Sequence, residues 1–325
     1  MHIPDGLLAP GVAAATGAVA AAGLLGGLRR LEGQLRERTT VLMGTMSAFV
    51  FAAQMVNFPV APGISGHLLG GVLAAVMLGP WAGAGVIGAV LIVQCLLFGD
   101  GGLTALGANF INMGLIGAVG GYAIYAPIRR AIGGRRGVLI GAMAAAWFSV
   151  ILASGALAVE LAASGKNFLT VLGWMTLVHA AIGLGEALIT GLVLRFLLLA
   201  RPDLVYEPDP AAASRPMRWG QVALAGMAIA MAVAIFLAPL ASEWPDGLDF
   251  VGARLGLGSD SGRPLVAAPL ADYRVPGFGR HVKAATAVAG LCGTLAVFVV
   301  GLGLARVFSR GVGGRRPEGI APDAA

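Results

Sequence analysis

The first two residues, Met1 and His2, carry three nitrogen donors within covalent reach of one another. They are the free amine, the His2 backbone nitrogen once deprotonated, and His2 Nδ1. Bound to one ion, they close two fused chelate rings in a single plane. Square-planar nitrogen sites favour Ni(II) or Cu(II), and Co(II) can be accommodated. A plane has four corners, so a fourth donor must come from elsewhere in the chain. The sequence has four histidines: His2, His67, His179 and His281. His67 is the best candidate, in the glycine-rich Gly63-Ile64-Ser65-Gly66-His67-Leu68-Leu69-Gly70, where backbones can approach closely. His281 stands near Arg280 and Lys283, which repel a cation, and His179 falls inside an apolar stretch. Pro4-Asp5-Gly6 is turn-forming sequence that can fold the terminus back into a cavity.

These donors must be positioned by elements that live in lipid. Of 325 residues, 58% are hydrophobic and only 12% charged, against roughly 25% charged in soluble domains. The mean hydropathy is +0.85. Apolar stretches occur at about 9–28, 41–58, 64–79, 81–98, 103–128, 137–161, 175–200, 221–241 and 284–307, each near the length that spans a bilayer. The run 64–98 as one helix would be roughly 52 Å long, against a hydrocarbon core of about 30 Å. Gly79-Pro80 divides it. Nine spans then place four Arg clusters on one side: Arg29, Arg30, Arg36 and Arg38; Arg129, Arg130, Arg135 and Arg136; Arg201, Arg215 and Arg218; Arg306, Arg310, Arg315 and Arg316. That side is cytoplasmic. The expected fold class is therefore an all-α polytopic transmembrane bundle, N-terminus outside and C-terminus inside. Met1, His2 and the outer end of the third span, with His67, fall on the same side.

The Pro-rich stretch 201–220 reads as a cytoplasmic linker. It divides a seven-span unit, 1–200, from a two-span unit, 221–325, whose outer loop 242–283 is rich in Gly and Pro and expected to be irregular. The net charge of +6 lies in these Arg clusters, which argues against a nucleic-acid partner. Cys95 and Cys292 sit in separate apolar stretches, as small buried side chains and not as a disulfide. No Lys or Arg precedes Arg29, so no secretory signal is expected. His2 is large, and methionine removal needs a small second residue, so Met1 is expected to stay.

The order of motifs resembles a known family. Met1-His2-Ile3-Pro4-Asp5-Gly6-Leu7-Leu8 is similar to the start of the M component (NikM/CbiM) of nickel and cobalt energy-coupling-factor (ECF) transporters. Ser65 to Gly71 with Leu78-Gly79-Pro80-Trp81-Ala82-Gly83, then Phe98 to Asn109, then His179 to Glu186, resemble its later blocks. Trp244-Pro245-Asp246-Gly247-Leu248 resembles the Pro-Asp-Gly-Leu-Glu signature of the small N component, with Asp249 in place of the final Glu. Asp272 to Gly277 fits the later part of that loop. The resemblance implies a fused M–N chain holding its metal by the Met1 amine, the His2 amide and ring, and His67. It implies transported Ni(II) or Co(II), no prosthetic group, a transmembrane coupling subunit (the T component), two ATPase subunits, and the bacterial inner membrane. The string Pro-Asp-Gly-Leu occurs at both 4–7 and 245–248, read as two outer-face turns and not as a repeat.

Other polar residues in apolar surroundings are candidates to orient the hook: Gln54, Asn57, Ser65, Gln94, Asn109 and Asn112. Interhelical hydrogen bonds are the alternative reading for them. Glu186 lies two helical turns beyond His179 on the same face, and the two are a conceivable pair. Ala14, Ala18 and Ala22 form a smooth face on the first span, for a partner helix or for packing within the chain. No G-x-x-x-x-G-K-[ST] string occurs, so ATP hydrolysis by a P-loop is not expected of this chain. A self-powered secondary transporter would need inverted repeats, and none is visible. The remaining alternative is an intramembrane enzyme using His179 and Glu186 as acid and base.

Overall fold

The computed structural model describes residues 1–31, 37–206, 219–257 and 264–310. Arg36, Arg215, Arg218, Arg315, Arg316 and most of the 201–220 linker lie outside the described residues. In chain order the helices are α1 (Pro10–Leu31), α2 (Glu37–Gln54), α3 (Gly71–Leu78), α4 (Pro80–Phe98), α5 (Leu106–Ile132), α6 (Gly134–Ala163), α7 (Phe168–Ala200), α8 (Trp219–Leu240), α9 (Gly247–Leu255) and α10 (Val282–Arg310). Among the described residues, seven are long and apolar enough to cross a membrane: α1, α4, α5, α6, α7, α8 and α10. The other long one, α2, has 18 residues but carries Glu37 and Arg38 in its first turn. The protein is an all-α, multi-pass bundle.

The third expected span departs from a plain helix. Residues 58–66 form a hairpin of β1 (Phe58–Ala61) and β2 (Ile64–Gly66). Helix follows only over the eight residues of α3, all buried. Eight residues rise about 12 Å, less than half of a hydrocarbon core. The stretch from β2 to Gly70 is therefore non-helical and buried inside the bundle. Non-helical backbone is tolerated at membrane depth only where protein covers it, and here it needs a partner for its freed N–H groups.

Glu186 is that partner. Its carboxylate lies midway along α7 and accepts from Leu69 N at 2.6 Å and Gly70 N at 2.9 Å. Gly70 has φ +78°, which only glycine adopts at little cost. That turn aims both amides at one carboxylate, at the positive end of α3. Glu186 does not meet His179, as the shared face suggested. His179 instead donates from Nδ1 to Met175 O on its own helix.

The Arg-rich ends share one face. Arg38 donates to Asp203 O and Val205 O, Tyr206 N donates to Val76 O, and the Arg30 guanidinium lies 5.0 Å over the Trp81 ring. These contacts gather the ends of α1, α3 and α7 with the starts of α2 and α4. The opposite ends of α4 and α7 lie with Met1, consistent with a cytoplasmic Arg face. At its outer end α4 widens into a π turn, Gln94–Phe98, a local feature common at functional sites.

Helices α8 and α10 pack on α2. A Cβ on Gly301 would fall 2.6 Å from Ser47 Oγ and 3.2 Å from Gly44 Cα, so α10 crosses α2 through small residues. Two further expectations are corrected. The 242–283 loop is partly ordered, since α9 forms after Asp246 caps Leu248 N and Asp249 N. Cys292 is exposed on α10, where apolar side chains face lipid at no cost, while Cys95 is buried; both are free.

Replacing Glu186 by Leu strands two buried N–H groups, each costing about 1–3 kcal/mol. Thermal unfolding of the purified chain in detergent should show a clear loss of stability for Glu186→Leu and a smaller one for Glu186→Gln, which keeps one acceptor.

Candidate metal-capture site

The N-terminal segment folds back into the bundle as the Pro4-Asp5-Gly6 turn suggests. Ile3 is clamped like a strand: its N–H donates to Asn109 Oδ1 at 2.8 Å, and its carbonyl accepts from Asn109 Nδ2 and Gly102 N. Asp5 accepts from Thr104 N and Thr104 Oγ1 at Oδ1, and from Leu265 N at Oδ2. A Cβ on Gly102 would collide with Asp5 N, so glycine is required for this close approach. These ties press Met1 and His2 into the outer end of the bundle, where Met1 is 3% exposed.

The Met1 amine lies 2.9 Å from His67 Nε2 and 2.6 Å from Asp246 Oδ2. His67 Nδ1 donates to Leu68 O at 3.0 Å. A carbonyl can only accept, so the proton of neutral His67 sits on Nδ1 and the Nε2 lone pair faces the amine. The His2 and His67 rings stack with centroids 5.2 Å apart.

His2 sits between two acceptors. Nδ1 is 3.1 Å from Asp100 Oδ1, and Nε2 is 3.1 Å from Gln94 Oε1. Burial lowers its pKa to about 4, against the pull of Asp100 and with help from the nearby charged amine. The ring is thus neutral at pH 7, with one proton for two acceptors. One lone pair therefore faces an oxygen. The Gln94 amide cannot turn to relieve this, because its Nε2 donates to Gln54 Oε1 and Tyr273 Oη.

The C-terminal unit supplies groups the sequence had not placed here. Asp246 comes from the second Pro-Asp-Gly-Leu, and Tyr273 from the loop before α10. Ser65 Oγ donates to Trp244 O at 2.6 Å and Ser65 N donates to Pro245 O, which seats Asp246 beside His67. A Cβ on Gly247 would lie 2.8 Å from His179 Cε1, so His179 is a wall under this turn. Tyr273 Oη donates to Asp100 Oδ2 at 2.5 Å, and its ring stacks on Phe98 at 4.7 Å. Burial holds Asp246 against ionisation, but the charged amine beside it outweighs this and keeps its pKa well below the ordinary carboxylate value. The sequence marked Asp246 only as part of an outer-face turn.

Of the orienting candidates, Gln54, Ser65, Gln94 and Asn109 join this constellation. Gln54 also donates to Leu69 O. Asn112 does not: its Nδ2 donates to Glu160 Oε2. Asn57 takes part through its backbone carbonyl, which accepts from Ser242 N. His281 is exposed ahead of α10. Among the described residues no three His, Cys, Asp or Glu side chains form a cluster that could hold a metal ion.

Comparison places this arrangement among known proteins. A solved structure of a truncated transition metal transporter superposes with a TM-score of 0.56 at 32% identity, covering 62% of this chain and 99% of that one. The class is therefore a membrane component of transition-metal transport. The family model described as the cobalt uptake substrate-specific transmembrane region (CbiM) matches residues 2–204, and the PDGLE domain matches 220–310. A putative fused nickel transport protein NikMN of Archaeoglobus fulgidus is 37% identical, over 94% of this chain and 98% of its own length. A fused nickel transport protein NikMN of Rhodobacter capsulatus is 31% identical, over 94% and 96%. The chain belongs to the CbiM family of nickel and cobalt transport components, fused to an N component of PDGLE type.

Burial works against ionised Asp5, but its bonds from Thr104 and Leu265 prevail and hold its pKa below the ordinary value of 3.8. The anchor is thus complete above pH 3.8 and weakens only as pH falls through the lower, folded value. Asp5→Ala should expose the terminus at neutral pH, read as faster trimming by an aminopeptidase, while the native chain resists.

Proposed function

We propose that the chain captures Ni(II) or Co(II) on the outer face of the bacterial inner membrane, as the substrate-specific component of an ATP-driven ECF-type uptake system. The metal is held by the Met1 amine, the His2 amide nitrogen, His2 Nδ1 and His67 Nε2. The observation that carries this reading is the 2.9 Å between the amine and His67 Nε2. Two nitrogens at adjacent corners of a square, each about 2.0 Å from a metal, lie roughly 2.8–2.9 Å apart. The His67 ring is already turned to that corner by its bond to Leu68 O. Metal binding at His2 Nδ1 replaces the contact of that nitrogen with Asp100 Oδ1.

The division of labour we propose follows 1–200 as capture unit, 201–220 as linker and 221–325 as the unit that covers the site. A coupling T subunit and two ATPase subunits supply the energy. Ala14, Ala18 and Ala22 are all exposed on α1, which leaves this face open for a coupling helix. The fused relatives named for nickel favour Ni(II) as the cargo. The enzyme reading with His179 and Glu186 loses its support, because each is committed to other backbone partners.

Isothermal titration of the purified chain should give one Ni(II) per molecule. A single residue added before Met1, or His2→Ala, should abolish that binding, and Asn109→Ala should weaken it about 10–100-fold. Unchanged stoichiometric binding in the extended chain would refute the claw.

A further inference from the structure

The carboxylate from the C-terminal unit is placed where a fifth ligand would stand. Asp246 Oδ2 is 2.6 Å from the Met1 amine and 3.6 Å from His67 Nε2. An oxygen above a square plane, about 2.2 Å from a metal with in-plane bonds of about 2.0 Å, lies roughly 3.0 Å from each in-plane nitrogen. Asp246 Oδ2 straddles that value. Its distance from the line joining the two nitrogens, which are 2.9 Å apart, already suits an apical oxygen, and a shift of about 1 Å along that line, from the amine toward His67, centres it.

We propose that Asp246 is an apical metal ligand, so that the loaded site is five-coordinate and is assembled from both units of the chain. This rests on the claw described above and adds a ligand to it. Charge supports the assignment. A divalent ion with two neutral imidazoles, a neutral amine and one amidate retains a charge of +1. The carboxylate brings the complex to zero, and a buried site tolerates a neutral complex far better than a charged one.

The rest of the turn is built to hold this oxygen. Asp246 Oδ1 is occupied by Leu248 N and Asp249 N, which leaves Oδ2 directed at the site. Ser65, two residues before His67, fixes the preceding carbonyls of Trp244 and Pro245. The close contact of Gly247 with His179 stops the turn from sinking deeper. Ligand and in-plane corner are thus fastened to the same hairpin.

The test is X-ray absorption at the nickel edge on the Ni(II)-loaded full chain, beside titration. The native chain should show four nitrogens and one oxygen, a measurement that needs no variant. Asp246→Asn keeps an N-cap for α9 and removes the charge. It should give a four-coordinate square-planar spectrum and at least tenfold weaker binding. A four-coordinate native site, or an Asp246→Asn spectrum and affinity equal to the native, would overturn the apical ligand. In either case loss of binding in His2→Ala leaves the claw standing. Native-like binding in His2→Ala would overturn both.

Discussion

The site depends on one contact, the buried terminal amine set between His67 and Asp246. An ammonium taken out of water is costly unless a counter-charge meets it, and breaking such a buried pair costs about 3–5 kcal/mol. Asp246 supplies the charge, and the clamp of Ile3 by Asn109 supplies the position. Everything between Met1 and Gly6 follows from getting a chain end into an apolar bundle without leaving its polar groups bare. His2 is carried in with it and becomes neutral through burial. That is the state in which a ring nitrogen can bind a metal.

The same economy explains the third crossing. A regular helix there would keep its backbone bonded internally and hold His67 on a smooth wall. The non-helical stretch instead brings His67 inward, at the cost of unpaired amides, and Glu186 meets that cost from α7. Glu186 is thus structural support for the segment that presents His67. Its neighbour in sequence, His179, supports the Asp246 turn from below. Two residues that resembled an acid–base pair hold the two halves of one site.

Much of this was legible in the sequence. Arg clusters and apolar lengths marked the helices, and donor types marked Met1, His2 and His67. The short α3 was not legible, because Ile64 to Leu78 is as apolar as any span and period cannot distinguish buried strand from buried helix. Nor was Asp246 recognisable as a site residue. Its motif read as a turn, which it is, and only three-dimensional packing brings that turn onto Ser65 and His67. Asn112 misled in the opposite direction: an intramembrane amide resembles a site group, yet it serves Glu160.

Asp246 reaches the amine across 245 residues of sequence. Were the two units separate proteins, that encounter would be bimolecular and subject to dilution. Within one chain it is intramolecular, and its effective concentration is set by the chain itself. The docking of the loop is then independent of expression level. Each capture unit also has its own partner in fixed one-to-one supply. Fusion thus frees the encounter of the two units from dilution.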